Sequence, residues 1–435
     1  MAAKSKSLPK LDVSSLPSPE TIARSQLENG IVVLARANFA SPSVVIAGYL
    51  PAGALFESPE LAGLADMTAS ALMRGTEQRS FHEIYQSIES IGASLRFGAS
   101  SHAASFRGKS LVADLDVILN LIAEVLTEPT FPKKAVEQLQ GEHLTGLALR
   151  DQDTRAVAGM TFDALAYPNH PYSIPSDGYR ETVAAFKRKD LKAFHKRTYG
   201  PSGLVLAIVG AIEPQAAIER VRQALGGWAT KRSTMLMVPD APALARTERR
   251  SVELAGKTQA DLVLGCPGPR RSEPDYLAAA LGNSVLGRFG LMGRIGDSVR
   301  ERAGLAYYAY SSLNGGIGPG PWQIAAGVNP ANVDRALALC VEELERFVGE
   351  PVTEDELADV QANFIGRLPL QLESNDGVAG ALLHVERHDL GLDYYPRYPQ
   401  LVAEVTRQQI QSVAGRFLDP ARLAVAIAGP PEKAA

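Results

Sequence analysis

His384 and His388 stand four residues apart in HVERH (384–388), a spacing that sets two imidazoles on one helical face, where they could grip a single cation. Glu386 sits centrally between them, at neither of the positions that zinc-peptidase motifs give their general base. A polar helix face ahead of the turn DLGLD is the plainer reading. His82, His102, His143, His170 and His195 are scattered singly and read as structural or solvated. Cys266 and Cys340 supply neither a disulfide framework nor a CxxC cluster, and read as two buried thiols.

The stretch LGNSVLGRFGLMGRIGDSVRERAGLAYYAYSS (281–312) is denser in chemistry. Gly282, Gly287, Gly290, Gly293 and Gly296 let a backbone pass closely. No GxGxxG follows a strand and no Walker lysine is present, so phosphate cradling is a weak reading. Arg300 and Tyr307, seven residues apart, offer a guanidinium and a phenol, donors that steady developing negative charge when they face a closed, water-poor cavity. Taken alone, they are equally a surface arginine paired with a neighbouring acid and an ordinary strand tyrosine.

The elements that would position these groups repeat. LKAFHKRTYGPSGLVLAIVG (191–210) and IQSVAGRFLDPARLAVAIAG (410–429) share one plan: helix end, Pro, alternating apolar strand, closing Gly. Leu191 and Ile410, Pro201 and Pro420, Leu204 and Leu423, and Gly210 and Gly429 keep one register. Each half also opens on a β-rich run that leads through Pro, Gly and acidic residues into an Ala/Leu helix. Strands cluster, as in ENGIVVLARA and SVVIAGYL, while helices such as DLDVILNLIAEVLTEP come in longer blocks, which favours a sheet covered by helices over a doubly wound one. The expectation is an α+β chain of two homologous domains, 20–230 and 248–432, each a mostly antiparallel sheet with helices on one face. A linker is expected at 231–247, where two prolines and clustered charge lie.

Composition narrows the function classes. A 435-residue chain holds two or three domains, and 44 Lys+Arg against 48 Asp+Glu give a net charge of -4, so no field favours nucleic acid or an anionic membrane. The start, MAAKSKSLPKLDVSSLPSPET, lacks a signal peptide's apolar core, and no run of 18 apolar residues occurs. A soluble chain is expected, cytoplasmic first, or periplasmic or in the mitochondrial matrix where a leader has been removed.

The order of strand, Gly-Leu-Ala helix, Arg-Gly-Thr stop, FHEIYQSIESIGASL, long helices, ALAYPNHPYSIPSDGYRETV and VTRQQIQSVAGRFLDPARLAVAIAG resembles the pitrilysin/insulinase family of zinc peptidases over nearly the whole chain. It looks closest to the processing-peptidase branch, whose members pair two chains of about this size. In active members the Gly-Leu-Ala is followed by His-x-x-Glu-His, two ligands on one helical face with a glutamate that activates water. Here that window reads Asp66-Met67-Thr68-Ala69-Ser70. Ser70 is a poor ligand and Ala69 cannot move a proton. The family's third ligand, a Glu, falls near Gly146, flanked here by Glu142 and Asp151. The edge strand GASLRFGAS carries Arg96 and Phe97 where active members have Asn and Ala to anchor substrate.

Arg300 and Tyr307 do fall on the family's arginine/tyrosine pair, in Arg-Glu-x-x-Gly-Leu-Ala-Tyr. The resemblance therefore implies a non-catalytic subunit of a heterodimeric zinc peptidase. This chain would hold no metal and no cofactor, and a homologous partner would bring the zinc. Arg300 and Tyr307 would hold the substrate carbonyl or oxyanion, Gly287, Gly290 and Gly293 would contact a peptide or unfolded-polypeptide substrate, and no nucleic acid or membrane insertion is expected. The alternative is a core-type structural protein, or a peptide-binding protein, with no proteolytic role.

Overall fold

Runs such as SVVIAGYL carry apolar side chains at consecutive positions, and only a sheet covered on both faces can bury them all. The computed structural model describes residues 8–229, 237–288, 290 and 293–431, and it contains two such sheets. The first is built from β1 (Ala23–Gln26), β2 (Val32–Ala37), β3 (Ser43–Leu50), β4 (Ser94–Ala99), β5 (Ala104–Leu111) and β6 (Val205–Gly210), in the order β1-β2-β6-β3-β5-β4. The second uses β7 (Glu248–Glu253), β8 (Ala260–Pro267), β9 (Ala306–Leu313), β10 (Pro321–Val328) and β11 (Ala424–Gly429), in the order β7-β11-β8-β10-β9. β2 pairs with β6, and β7 with β11, in parallel; the remaining pairs are antiparallel. With β1 set aside the two orders coincide, so the internal repeat is a repeat of topology.

The helices of the first half are α1 (Leu64–Ala71), α2 (Phe81–Glu89), α3 (Leu115–Thr127), α4 (Lys133–Arg150), α5 (Thr154–Ala166), α6 (Arg180–Ala185), α7 (Arg188–Thr198) and α8 (Pro214–Leu225). The second half adds α9 (Tyr276–Gly287), the single turn α10 (Gly293–Ile295), α11 (Val333–Gly349), α12 (Glu354–Gln371), α13 (Asn375–Arg387), α14 (Tyr394–Ala403) and α15 (Arg407–Phe417). Local chemistry sets several of their starts. Ser80 with Glu83, Thr353 with Glu356 and Thr406 with Gln409 form reciprocal capping boxes at α2, α12 and α15. No helix among the described residues is long and apolar enough to cross a membrane.

Each half packs its own helices on one face of its sheet, as expected, around cores that include Ile46, Leu64 and Ile118 in the first half and Leu264, Leu286 and Phe347 in the second. The opposite faces are covered reciprocally. Val378, Ala379 and Leu382 of α13 bury Val45, Ala47 and Val205 of the first sheet, and Val157, Ala158 and Phe162 of α5 bury Val263, Ala325 and Ala426 of the second. Polar contacts pin the exchange: Arg24 grips Glu386 through two hydrogen bonds of 2.9 and 2.7 Å, Arg107 meets Asp376 at 2.5 Å, and Asn38 donates to Asn375 at 2.7 Å.

Of the expected linker, residues 231–236 lie outside the described residues, as does the expected end at residue 432. The remainder is held by both halves. Arg270 donates to the carbonyls of Val238 (2.9 Å) and Pro239 (3.0 Å), and His170 donates to Pro239 (3.2 Å).

Full burial of a Leu or Phe side chain stabilises a fold by about 1.5–3 kcal/mol, so the lent helices couple the two halves. Leu382→Ala should cost about 2–5 kcal/mol and Phe162→Ala about 3–5 kcal/mol. In either variant, amide exchange in β6 and β11 should accelerate together; acceleration confined to one sheet would show that the halves open independently.

Candidate functional site

The chemistry of the first half centres on the start of α1. Gly63 turns the chain with a φ of 93°, and a Cβ there would lie 2.7 Å from the Asp177 carbonyl oxygen, so only glycine fits. Six of the eight residues of α1 are buried, Met67, Thr68 and Ala69 among them, which makes the helix a packing element first. Asp66 faces α4, where His143 Nδ1 lies 3.8 Å from its carboxylate. The same carboxylate accepts the Ala99 backbone N–H at the end of β4. Burial raises the Asp66 pKa, opposed by His143 and reinforced by Asp177.

Glu57, an acidic turn residue in the sequence, proves to be central here. Its carboxylate accepts the backbone N–H groups of Gly63 (2.9 Å) and Ala65 at the head of α1. Burial nevertheless pushes it up to about 7, with Asp66 adding to the shift while the two N–H groups and Arg197 oppose it. Glu142, expected near the third-ligand position, is neutralised by Arg74 at 2.8 Å, and Asp151 by Arg150 at 3.0 Å. His143, read from the sequence as a solitary histidine, is the imidazole that tertiary packing brings to Asp66. Only the pairing of α1 with α4 could reveal that.

Tested against zinc, this donor set does not fit. One imidazole and one carboxylate converge, Ser70 holds the position of the second helical ligand, and the nearby carboxylates already have partners. Among the described residues no group of three or more His, Cys, Asp or Glu side chains could hold a metal ion.

In the second half, Arg300 lies on a π-helical segment, Gly296–Arg302, with its guanidinium partly exposed and 3.6 Å from Glu301. Tyr307 is the second residue of the edge strand β9. The ladder pairs Gly327 with Tyr308 and Val328 with Ala306, so Tyr307 is the extra residue of a β-bulge, and it is 73% exposed. Its neighbours are engaged: Tyr308 donates to buried Asp261, and Tyr310 accepts from Arg155 of α5. Gly287 is required by packing, because a Cβ would lie 2.1 Å from the Ser311 nitrogen. Gly293, with a φ of 64°, closes on the Val285 carbonyl oxygen in the same way. Gly290 has a φ of 60° and open space around it. Phe289, Leu291 and Met292 lie outside the described residues.

The remaining histidines mostly hold structure. His195 donates to the Leu126 carbonyl at 2.9 Å, and His102 shares a 2.6 Å hydrogen bond with Tyr172. In HVERH, Glu386 is the partner of Arg24, while His384 and His388 pack with ring centres 4.8 Å apart. Burial, followed by nearby cationic groups, pushes His384 down to about 4 and His388 to about 3. Both cysteines are buried, and burial pushes each thiol up to about 12.

Two lobes of one topology, with a buried helix where a metal-binding helix would stand, define a two-lobed peptidase-like chain. Residues 32–175 match the family described as Insulinase (Peptidase family M16), and residues 185–364 match Peptidase M16 inactive domain. The two matches span most of the chain, which belongs to peptidase family M16. An uncharacterized zinc protease of Mycobacterium leprae is 26% identical over 419 residues, 94% of this chain and 92% of that protein. A probable mitochondrial-processing peptidase subunit beta of Arabidopsis thaliana is 23% identical over 62% of this chain and 51% of that protein. The crystal structure of a peptidase M16 inactive domain from Pseudomonas fluorescens is similar with a TM-score of 0.88 and 25% identity, covering 94% of this chain and 98% of that one.

Glu57 gives the site a pH signature. Its folded pKa of about 7 lies above the ordinary glutamate value of 4.5, so its contribution to stability is full below the lower value and is lost as pH rises through the upper one. The loss should be on the order of 2–3 kcal/mol. Urea unfolding at pH 5 and pH 8 should show this decline in the native chain and a flatter profile in Glu57→Gln; identical profiles would remove Glu57 from the account.

Proposed function

We propose that this chain is the zinc-less subunit of a two-chain zinc peptidase. A zinc-bearing homologous partner supplies the metal chemistry, and this chain supplies Arg300 and Tyr307. The observation that carries the reading is the donor set at Asp66: in a chain of peptidase family M16, the metal window is reduced to one carboxylate that already receives the Ala99 N–H and lies beside His143.

The second half supports the complementary role. The bulge sets Tyr307 outside the ladder of β9, and its exposure leaves the phenol available to a second chain. A guanidinium and a phenol donate hydrogen bonds to an oxygen on which negative charge develops, and they do so more strongly in the transition state than in the ground state. Gly290, with nothing among the described residues within 4 Å of where a Cβ would stand, would meet a peptide, while Gly287 and Gly293 pack closely against Ser311 and Val285. The substrate would be a peptide or unfolded segment enclosed between the two chains.

The isolated chain should carry no stoichiometric zinc and cleave no peptide. Mixed with a zinc-bearing homologue, it should form a stable complex that cleaves peptides. In that complex Tyr307→Phe and Arg300→Ala should each lower kcat/KM by roughly 100- to 1000-fold. Thermal stability should barely change, as expected for exposed positions. Chelator-sensitive activity with one zinc per isolated chain would sink the proposal, as would an active complex indifferent to both substitutions.

A further inference from the structure

A cleft of about 480 Å³ lies between α13 and the face of β3, β4 and β5 that α13 covers, and Arg96, Arg107 and Arg387 line it. A second cleft, of about 570 Å³, is lined by Arg271, Arg288 and Arg367 of the second half. Gly380 and His384 of α13 line both. Among the described residues no Asp or Glu lines either one, in a chain whose 48 acidic residues outnumber its 44 Lys and Arg. Cations gathered in a groove with low-dielectric walls focus a positive potential that the net charge of the chain conceals.

Four of these arginines are held in place, while Arg96 and Arg288 are exposed. Arg107 meets Asp376, but among the described residues no ion pair engages the other five. Arg387 lies over the Tyr49 ring at 4.0 Å and Arg367 over Phe364 at 3.9 Å, each with a buried Nε that has no hydrogen-bond acceptor. Arg271 stands over Tyr276 at 4.7 Å and donates to the Tyr394 hydroxyl at 2.8 Å. Stacking fixes a guanidinium and leaves its edge free for a carboxylate. Burial first, and then Arg271 and Arg387, lowers the pKa of both His384 and His388.

We propose that these two clefts, one on each side of Gly380 and His384, together form a trough that binds an extended peptide segment rich in Asp and Glu. The inference rests on the reading of the chain as one that handles peptides. Its length favours a chain over a single anion, because the guanidiniums are spread along two adjoining clefts instead of converging on one point. Its floor suits a backbone as well: Gly98 on the edge strand β4 has nothing within 4 Å of where a Cβ would stand, and Tyr49 adds apolar surface to the same cleft.

The test is fluorescence anisotropy of the full chain with labelled peptides of equal length, alternating Gly with Glu, Ser or Lys, at low and moderate salt. The Glu peptide should bind at least tenfold more tightly than the Ser peptide and weaken steeply with salt, and the Lys peptide should not bind. Arg96→Gln with Arg387→Gln should reduce Glu-peptide affinity at least tenfold, while Arg249→Gln, at an exposed pair outside the trough, should not. Should the double variant fail to fold, Arg96→Gln and Arg288→Gln read the two clefts separately. Equal binding of the Glu and Ser peptides overturns the inference, as does tight binding of inorganic polyphosphate without binding of the Glu peptide. A partnered complex that cleaves neutral peptides, with no acidic peptide bound, sinks this inference and leaves the proteolytic reading intact; acidic binding by a chain that never supports cleavage does the reverse.

Discussion

Neither sheet can bury its second face with its own helices, and most of the architecture answers to that constraint. The strands β3, β6, β8 and β11 are apolar on both sides, so each half must borrow a helix. α13 and α5 are exchanged between halves at matching places in the repeat, and the ion pairs from Arg24 and Arg107 to α13 follow from where that helix lies. The exchange makes α13 a shared wall, packed on the first sheet and bordering clefts that belong to both halves.

The same constraint explains what becomes of a metal-type helix without its ligands. α1 remains because its buried face fills the first core, whatever its polar positions carry. Asp66 and Glu57, in a half-buried place, are met by backbone N–H groups and by His143, and burial draws both toward the protonated form. The second half shows the opposite: its exposed tyrosine is released by a bulge on an edge strand, while Tyr308 and Tyr310 of the same strand are tied to Asp261 and Arg155.

Much of the fold was legible before any coordinates. SVVIAGYL became β3 at the expected bounds, the helix expected to stop before Pro129 ends at Thr127, and the matched Pro, strand and Gly segments became β6 and β11. These features are local: apolar periodicity, a proline that forbids helix at the residue before it, and a glycine that closes a strand. The candidate site was legible in part. The residues at 66–70 state their chemical poverty in one dimension, but the sequence could not place His143 beside Asp66, and it made Glu57 look like an ordinary turn acid.

Residue order by itself determined the secondary elements, the duplication and the family, because each is written in spacings of a few residues or in a repeated plan. Only the tertiary structure decided which helix covers which sheet, that HVERH faces a cleft with its glutamate committed to Arg24, and that arginines from β4, β5, α12, α13 and either end of α9 line two clefts sharing one helix. Those outcomes depend on contacts between residues up to 362 positions apart, and no local pattern encodes a contact whose partner lies in the other half of the chain.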